Sequence, residues 1–340
     1  MNKKLLLTSA LVGSLAVAGS AIAETKIYGD LEQVWASSSR DLAANKQSGS
    51  EGYGSEANIG MSASKDIDLG TLKYGFKFEG DGDNTFDQSE HYLEVTSGAF
   101  TFHLNNDAGS AVSLDGTVVP HVGDQNDTLA SRAGSDATSS GFIDVNGGAY
   151  VAGSLDVADG KLTLLRSIGD TGTDSGTLGS TSTGSNGDNG WLVAYQGSLG
   201  VEGLTVQVGR SEVTKADGDS GDKQLNKMGA SYKVGPFAVG VDYQDYEDGK
   251  GVGASNNRQQ IRYGASYNVS DDLSVGVVYN EVEVQNSTTS DAVNEEVTTL
   301  AVGYNLGGLG VKLYVSQIDN LGGTSGDDAQ VIQIQTKQSF

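Results

Sequence analysis

At 340 residues, with 49 Gly, 14 Tyr, two Pro, three Met and no Cys, the chain suits one large β domain and suits a Leu- and Ala-rich helical or α/β protein poorly. Its 21 basic residues face 44 acidic ones, a formal charge of −23 that excludes nucleic acid as a partner. Such acidity fits a solvated surface, divalent cations or a water-filled passage favouring cations, and without Cys the stability must come from a large hydrogen-bonded sheet or from bound ions.

The first 23 residues read as a secretory signal peptide. Lys3 and Lys4 form a positive start, Leu5 to Val17 an apolar core, and Ala21-Ile22-Ala23 a small-x-small cleavage site. Removing residues 1–23 leaves 19 basic residues against 44 acidic in a mature domain of residues 24–340, a formal −25. Beyond residue 23 no run approaches the roughly 20 apolar residues that a spanning helix needs.

From Glu24 onward, alternating runs are separated by two kinds of connection. Seven are tight: Asp66 to Gly70, Ser97-Gly98, Val157 to Gly160, Gly200 to Gly203, Gly235-Pro236, Ser270 to Asp272 and Gly307-Gly308. Eight are longer and rich in Gly, Ser and Asp, near 38–52, 80–86, 107–142, 170–189, 214–222, 247–257, 285–294 and 320–327. Long and short alternate strictly, which requires sixteen strands with both chain ends on the short-turn side. A soluble sandwich has no reason to gather its long loops at one end. An outer-membrane barrel does, and open sheet edges are not tolerated in lipid, so the first strand must pair with the last.

Within the strands one face is apolar. Leu72, Tyr74, Phe76 and Phe78 oppose Lys73, Gly75, Lys77 and Glu79; Phe237, Val239, Val241 and Tyr243 oppose Ala238, Gly240, Asp242 and Gln244. In a barrel this wide side chains cannot fill the interior, so the apolar face looks out to lipid and the other is wet. Tyr232, Tyr267 and Tyr304 precede short turns, while Trp35, Trp191, Tyr243 and Tyr279 lie toward the long loops, placing aromatic residues at two levels as at two membrane interfaces. Near Leu162 to Ile168 the alternation sends Arg166 to the lipid face, which points to a bulge, a rim position or a shifted register.

The opening strand TKIYGDLEQVW, the sixteen alternating segments, the very long connection after the fifth strand and the terminal Phe340 together resemble the general bacterial porins of Gram-negative outer membranes. The resemblance implies an all-β, 16-stranded antiparallel transmembrane barrel with short periplasmic turns, long external loops and a third loop folded inward. It also implies a homotrimer in contact with outer-membrane lipid and lipopolysaccharide, and a C-terminal aromatic strand similar to the signal taken up by the barrel-assembly machinery. Ile332 and Ile334 fit that signal and Thr336 and Gln338 depart from it. By the same resemblance the constriction falls on Asp107, Asp115, Asp124, Asp127, Arg132 and Asp136 of the 107–142 loop. The facing lumen wall, by strand parity, holds Lys26, Asp30, Glu32, Lys73 and Lys77.

Catalytic chemistry finds little support. Gly218-Asp219-Ser220-Gly221-Asp222 is similar to a protease nucleophile segment, but Asp222 replaces its last glycine and the only histidines are His91, His103 and His121. His91 and His103 fall on opposite parities, so they share no metal. Asp81-Gly82-Asp83-Asn84 with Asp87 resembles a calcium loop, yet Phe86 occupies the position that needs glycine; what remains is a weak Ca2+ or Mg2+ site on an external loop, with no other cofactor. The sequence therefore predicts a non-enzymatic channel passing small hydrophilic solutes and ions, with a cation preference. A substrate-specific channel is the alternative within the barrel class, and a secreted adhesive or surface-layer β protein is the alternative outside it.

Overall fold

The computed structural model describes residues 24–42, 45–80, 87–105, 119–122, 150–167, 189–214, 223–248, 257–285 and 293–340. Sixteen antiparallel strands, β1 to β16, close into one barrel in which each strand pairs with its neighbours in sequence and β1 pairs with β16. The first five are β1 (Glu24–Leu42), β2 (Asn45–Ile67), β3 (Gly70–Gly80), β4 (Asp87–Ser97) and β5 (Phe100–Asn105). They are followed by β6 (Tyr150–Val157), β7 (Gly160–Ser167), β8 (Asn189–Gly197), β9 (Leu204–Thr214), β10 (Lys223–Val234) and β11 (Phe237–Asp248). The last five are β12 (Asn257–Asn268), β13 (Leu273–Gln285), β14 (Glu295–Leu306), β15 (Leu309–Asp319) and β16 (Asp328–Ser339). Closure satisfies the backbone groups of the sheet within the sheet, which is what lets strands cross a bilayer.

All seven tight connections occur, within a residue or two of the sequence reading. Gly307 and Gly308 both take positive φ (62° and 103°), the left-handed backbone that a two-residue hairpin needs. Among the long connections the first differs from expectation. Instead of a loop over 38–52, β1 runs on to Leu42 and β2 starts at Asn45, with a register shift between Ser38 and Arg40. The polar Ser and Gly run there shows no hydrophobic alternation, but a hairpin needs only paired backbone groups, and this one continues past the apolar part of the strands.

Faces follow parity. Leu300 (57% exposed), Val302, Tyr304, Ile332 and Ile334 look outward, while Thr299, Ala301, Gln333 and Gln335 on the same strands are buried on the inside. Tyr232, Tyr267 and Tyr304 form an exposed aromatic level beside the short turns, and Tyr263 and Tyr279 stack with ring centroids 6.3 Å apart farther up the same face. Arg166 pairs regularly with Val151 and Trp191, so no bulge is present there; it is the penultimate residue of β7 and faces outward at the rim.

The interior departs from a uniformly wet face. Tyr150, Ala152, Leu165, Leu192, Ala194, Val213 and Leu225 form a buried apolar patch inside β6–β10. A second patch on β13–β16 includes Val282, Val297, Tyr314, Ile318 and Val331. Val122 of the long β5–β6 connection and Leu321 of the β15–β16 connection belong to that second patch. Alternation alone could not separate a lumen residue meeting water from one meeting an inward connection.

Candidate functional site in the barrel lumen

Residues 119–122 lie in the middle of the third long connection and sit inside the barrel against the far wall. Val119 and Val122 are buried (1% and 6% exposed). Their seat is a track of lumen-facing glycines. A Cβ at Gly240 would come within 2.8 Å of Pro120 Cδ, and one at Gly303 within 2.8 Å of Val122 Cγ1. At Gly264 a Cβ would meet Val119 Cγ1 and, at 2.6 Å, the Pro120 carbonyl oxygen, contacts that no side chain fits. Gly240 and Gly264 are direct cross-strand partners, so the bare backbone of β11 and β12 accepts the segment. His121 Nδ1 lies 2.9 Å from the Val119 carbonyl oxygen, which braces the segment locally.

One pair step up from this seat is a buried polar row. Arg262 is fully buried, as are Asp242 (1%) and Asn280 (2%). The guanidinium donates Nε–H to Asn280 Oδ1 at 2.6 Å and lies with Nη1 3.5 Å from Asp242 Oδ2. Lys227 (2% exposed) and Gln260 (1%) continue the polar wall, and Arg258 lies over the Tyr246 ring at 5.0 Å. Lys233 and Lys312 share the lumen parity of β10 and β15. On β10–β15 the lumen is therefore predominantly basic among the described residues, with Asp242 inside the cluster and Glu295 taken up in capping: its Oε2 accepts the Gly322 N–H at 2.6 Å in the β15–β16 connection.

The wall expected from the first strands is built differently. Asp30 and Glu32 do face the lumen, but Lys337 of β16 lies between them, 3.4 and 3.3 Å from their carboxylates. Asn58 donates to Asp30 Oδ1 (2.9 Å), and Gln335 donates to Glu32 Oε1 (2.7 Å) while accepting from Tyr314 Oη (2.8 Å). The Lys337 and Gln335 contacts to Asp30 and Glu32 stitch the β1–β16 closure from inside. Lys77 pairs with Glu79 at 3.4 Å, and Lys73 lies 5.3 Å from the Tyr92 ring with Glu94 as its cross-strand partner. Lys26 is exposed near the start of β1, opposite Ser62. Lys73 and Lys77 thus stand beside acids, and the predominantly basic wall among the described residues belongs to β10, β12 and β15. Parity could have found it, since Met228, Ala230 and Tyr232 outward put Lys227 and Lys233 inward, and Ile261 and Tyr263 outward do the same for Arg258 and Arg262.

His103 is buried, 3.4 Å from Glu94, and His91 points outward on the parity of Phe76, so the two share no site. Asp107, Asp115, Asp124, Asp127, Arg132 and Asp136 lie outside the described residues, as do Asp81 and Asp83. The backbone of Asp87 opens β4, and its side chain is outside the described set. Below the inward segment, toward the short turns, a cavity of ≈ 720 Å³ is lined by His121, Ser266, Asn268, Ser274, Asn305 and Lys312. Its polar lining suits water and small hydrated solutes. The arrangement offers a path narrowed by a loop segment, with fixed charges on the wall and, among the described residues, no convergent acid, base and nucleophile.

The pattern of the Gram-negative porin family matches residues 8–337. Among solved structures, an anion-selective porin from Comamonas acidovorans superposes with a TM-score of 0.64 at 18% identity, covering 93% of this chain and 99% of that one. OmpT of Vibrio cholerae, expressed in the outer membrane, gives 0.63 at 14% identity over 94% and 100%, and a triple mutant of the Rh. blastica porin gives 0.59 at 15% over 93% and 100%. Nothing among curated proteins matches the chain. The family match excludes the adhesive or surface-layer alternative, and with the closed sixteen-stranded barrel it means that the chain belongs to the Gram-negative porins, channel proteins of the outer membrane and not enzymes.

Proposed function

We propose that the barrel passes small hydrophilic solutes and ions by passive diffusion, with a cation preference set by its acidic connections. The observation that carries the diffusion reading is the seat of residues 119–122 within the lumen above a polar cavity, a width filter built into an open barrel. The charge argument rests on the excess of 44 acidic over 21 basic residues, since the acids lie on the connections, on the outer rim and on the lumen side of β1–β4 while the wall on β10–β15 is basic. Asp107, Asp115, Asp124, Asp127, Arg132 and Asp136, on the connection whose residues 119–122 enter the lumen, are proposed as constriction charges that set a transverse field against the lumen bases. Such a transverse field orients dipolar solutes, while the acidic mouth concentrates cations. A solved structure of the Vibrio cholerae protein is described as a trimer form, and a homotrimer is the assembly proposed here. Residues 1–23 act as the cleaved export signal, Phe340 as part of the signal for the assembly machinery, and Asp81, Asp83 and Asp87 as a weak divalent-cation site. Reversal potential in a planar bilayer under a salt gradient tests the reading. A shift toward the cation potential is expected; anion selectivity would overturn the charge argument, and absence of conductance would overturn the pore.

A further inference from the structure

The lumen wall is covered on one arc and open on the other. On β10–β12, Lys227, Gln260 and Arg262 are no more than 2% exposed, whereas across the barrel Tyr28 of β1 is 38% exposed and Lys26 and Lys73 are exposed as well. A solute in the path therefore touches β1–β4. Two tyrosines lie across that arc, each over a lumen-facing glycine of the neighbouring strand. Tyr28 and Gly60 are cross-strand partners, and a Cβ at Gly60 would meet Tyr28 Cζ and come within 2.6 Å of its Oη. Tyr92 and Gly75 are partners likewise, and a Cβ at Gly75 would come within 2.8 Å of Tyr92 Cζ and Oη. Gly60 pairs with Lys77 and Gly75 with Ser62, so the two glycines are diagonal neighbours on β2 and β3, roughly 7–8 Å apart. The rings thus reach in from opposite sides and cover adjacent levels of the wall. Bare backbone lets each ring lie down, and a side chain at either glycine would lift it into the path.

We propose that Tyr28 and Tyr92 form a stacking site for a neutral saccharide on the solute path. The site presupposes the diffusion reading and names a solute class for it. A sugar ring has an apolar C–H face and an edge of hydroxyls that both donate and accept. The tyrosine faces supply the apolar platform. Both kinds of polar partner surround it. Lys26 and Ser62 share the level of Tyr92, and Lys77 shares that of Tyr28. Lys73 Nζ is 5.3 Å from the Tyr92 ring centre, with Glu94 as its cross-strand partner. Lys77 lies 3.4 Å from Glu79 and pairs across the strand with Glu90. Ammonium groups donate to hydroxyl oxygens and carboxylates accept hydroxyl protons, so this shell serves a ligand whose edge does both. Because the acids stand next to the bases, neither an anion nor a cation meets an unopposed charge there. An aromatic acid would stack but face Glu79 and Glu94, whereas a neutral polyol keeps every contact. The spacing of the two rings exceeds one sugar ring and suits a disaccharide or a longer chain.

Folded barrel in a planar bilayer is recorded in maltose, in cellobiose and in a polyethylene glycol of the same hydrodynamic size. At least one disaccharide is expected to interrupt the single-channel current in a saturable way, while the polymer lowers it without saturation. Tyr28→Ala with Tyr92→Ala should raise the half-saturating concentration by about tenfold or more, and Tyr28→Phe with Tyr92→Phe, which keeps both ring faces, should stay within about threefold of the parent. Two disaccharides that behave like the polymer, or an unaltered half-saturation in the alanine pair, would overturn the site. A phenylalanine pair as weak as the alanine pair would also overturn it, because binding would then run through the hydroxyls and not the ring faces. A parent barrel that carries no current would instead overturn the diffusion reading, and the site with it. If the alanine pair fails to show the heat-dependent gel shift of a folded barrel, the comparison of disaccharide with polymer on the parent and on the phenylalanine pair decides.

Discussion

The two sides of the lumen solve the problem of buried charge differently. On β1–β3 and β16 the lumen charges include close opposite pairs: Lys337 with Asp30 and Glu32, Lys77 with Glu79. On β10–β12 the bases Lys227 and Arg262 are almost wholly buried next to the seat of the inward segment, with Asp242 among them. A half-exposed, paired wall contributes little field of its own and mainly ties the closing seam. A buried, predominantly basic wall beside a constricting segment is where a charge change should be felt by a passing ion, because low dielectric and close walls strengthen it.

That contrast can be broken in several ways. The largest effect is expected from Gly264→Val, whose added carbons would collide with Val119 and Pro120 and expel the segment. Single-channel conductance should change by about twofold or more, whereas Gly310→Ala, with only the Lys337 carbonyl oxygen 3.5 Å away, should leave it unaltered. Arg262→Gln leaves the Asp242 carboxylate buried without its guanidinium, a loss of about 3–5 kcal/mol that should lower the thermal midpoint of the gel-shift transition. Adding Asp242→Asn should restore most of it, since the carboxylate that lost the guanidinium is then neutral. Smaller still is the selectivity contrast: Lys227→Gln with Arg258→Gln should move the reversal potential toward cations by more than Lys73→Gln with Lys77→Gln, whose neighbours already offset them. Deleting Phe340 should leave conductance of inserted channels intact but reduce the yield of assembled barrels. The Phe340 N–H donates to the Gly29 carbonyl at 2.9 Å and its carbonyl accepts from Gly29 N–H at 3.2 Å, closing the sheet at its final residue.

Much of this was legible before any coordinates. The seven turns, the strand number, the outward face and the pairing of the strand near Phe340 with that near Ile27 to Trp35 all follow from alternation and Gly-rich breaks, because a membrane barrel repeats one simple rule. Parity gives the face of the charges on the first strands but says nothing of their partners. Lys337 is more than 300 positions from Asp30 along the chain and meets it only because the barrel closes. The basic wall obeys the same parity, but parity alone does not tell which lumen bases lack an acid beside them. The glycine seat was harder still, since Gly240, Gly264 and Gly303 read as ordinary strand residues until a distant segment is laid across them.

The narrowing of the lumen depends on residues 119–122 lying inside the barrel against that seat. A Cβ at Gly303 is 2.8 Å from Val122 Cγ1, which puts the two Cβ atoms within about 4.5 Å, the range a disulfide spans. The chain has no Cys of its own, so Val122→Cys with Gly303→Cys can be oxidised without competition. A gel shift seen only under non-reducing conditions and abolished by dithiothreitol is predicted, together with a conductance close to that of the parent. Two free thiols that both label rapidly with a bulky maleimide from the outside, and no crosslink, would contradict it.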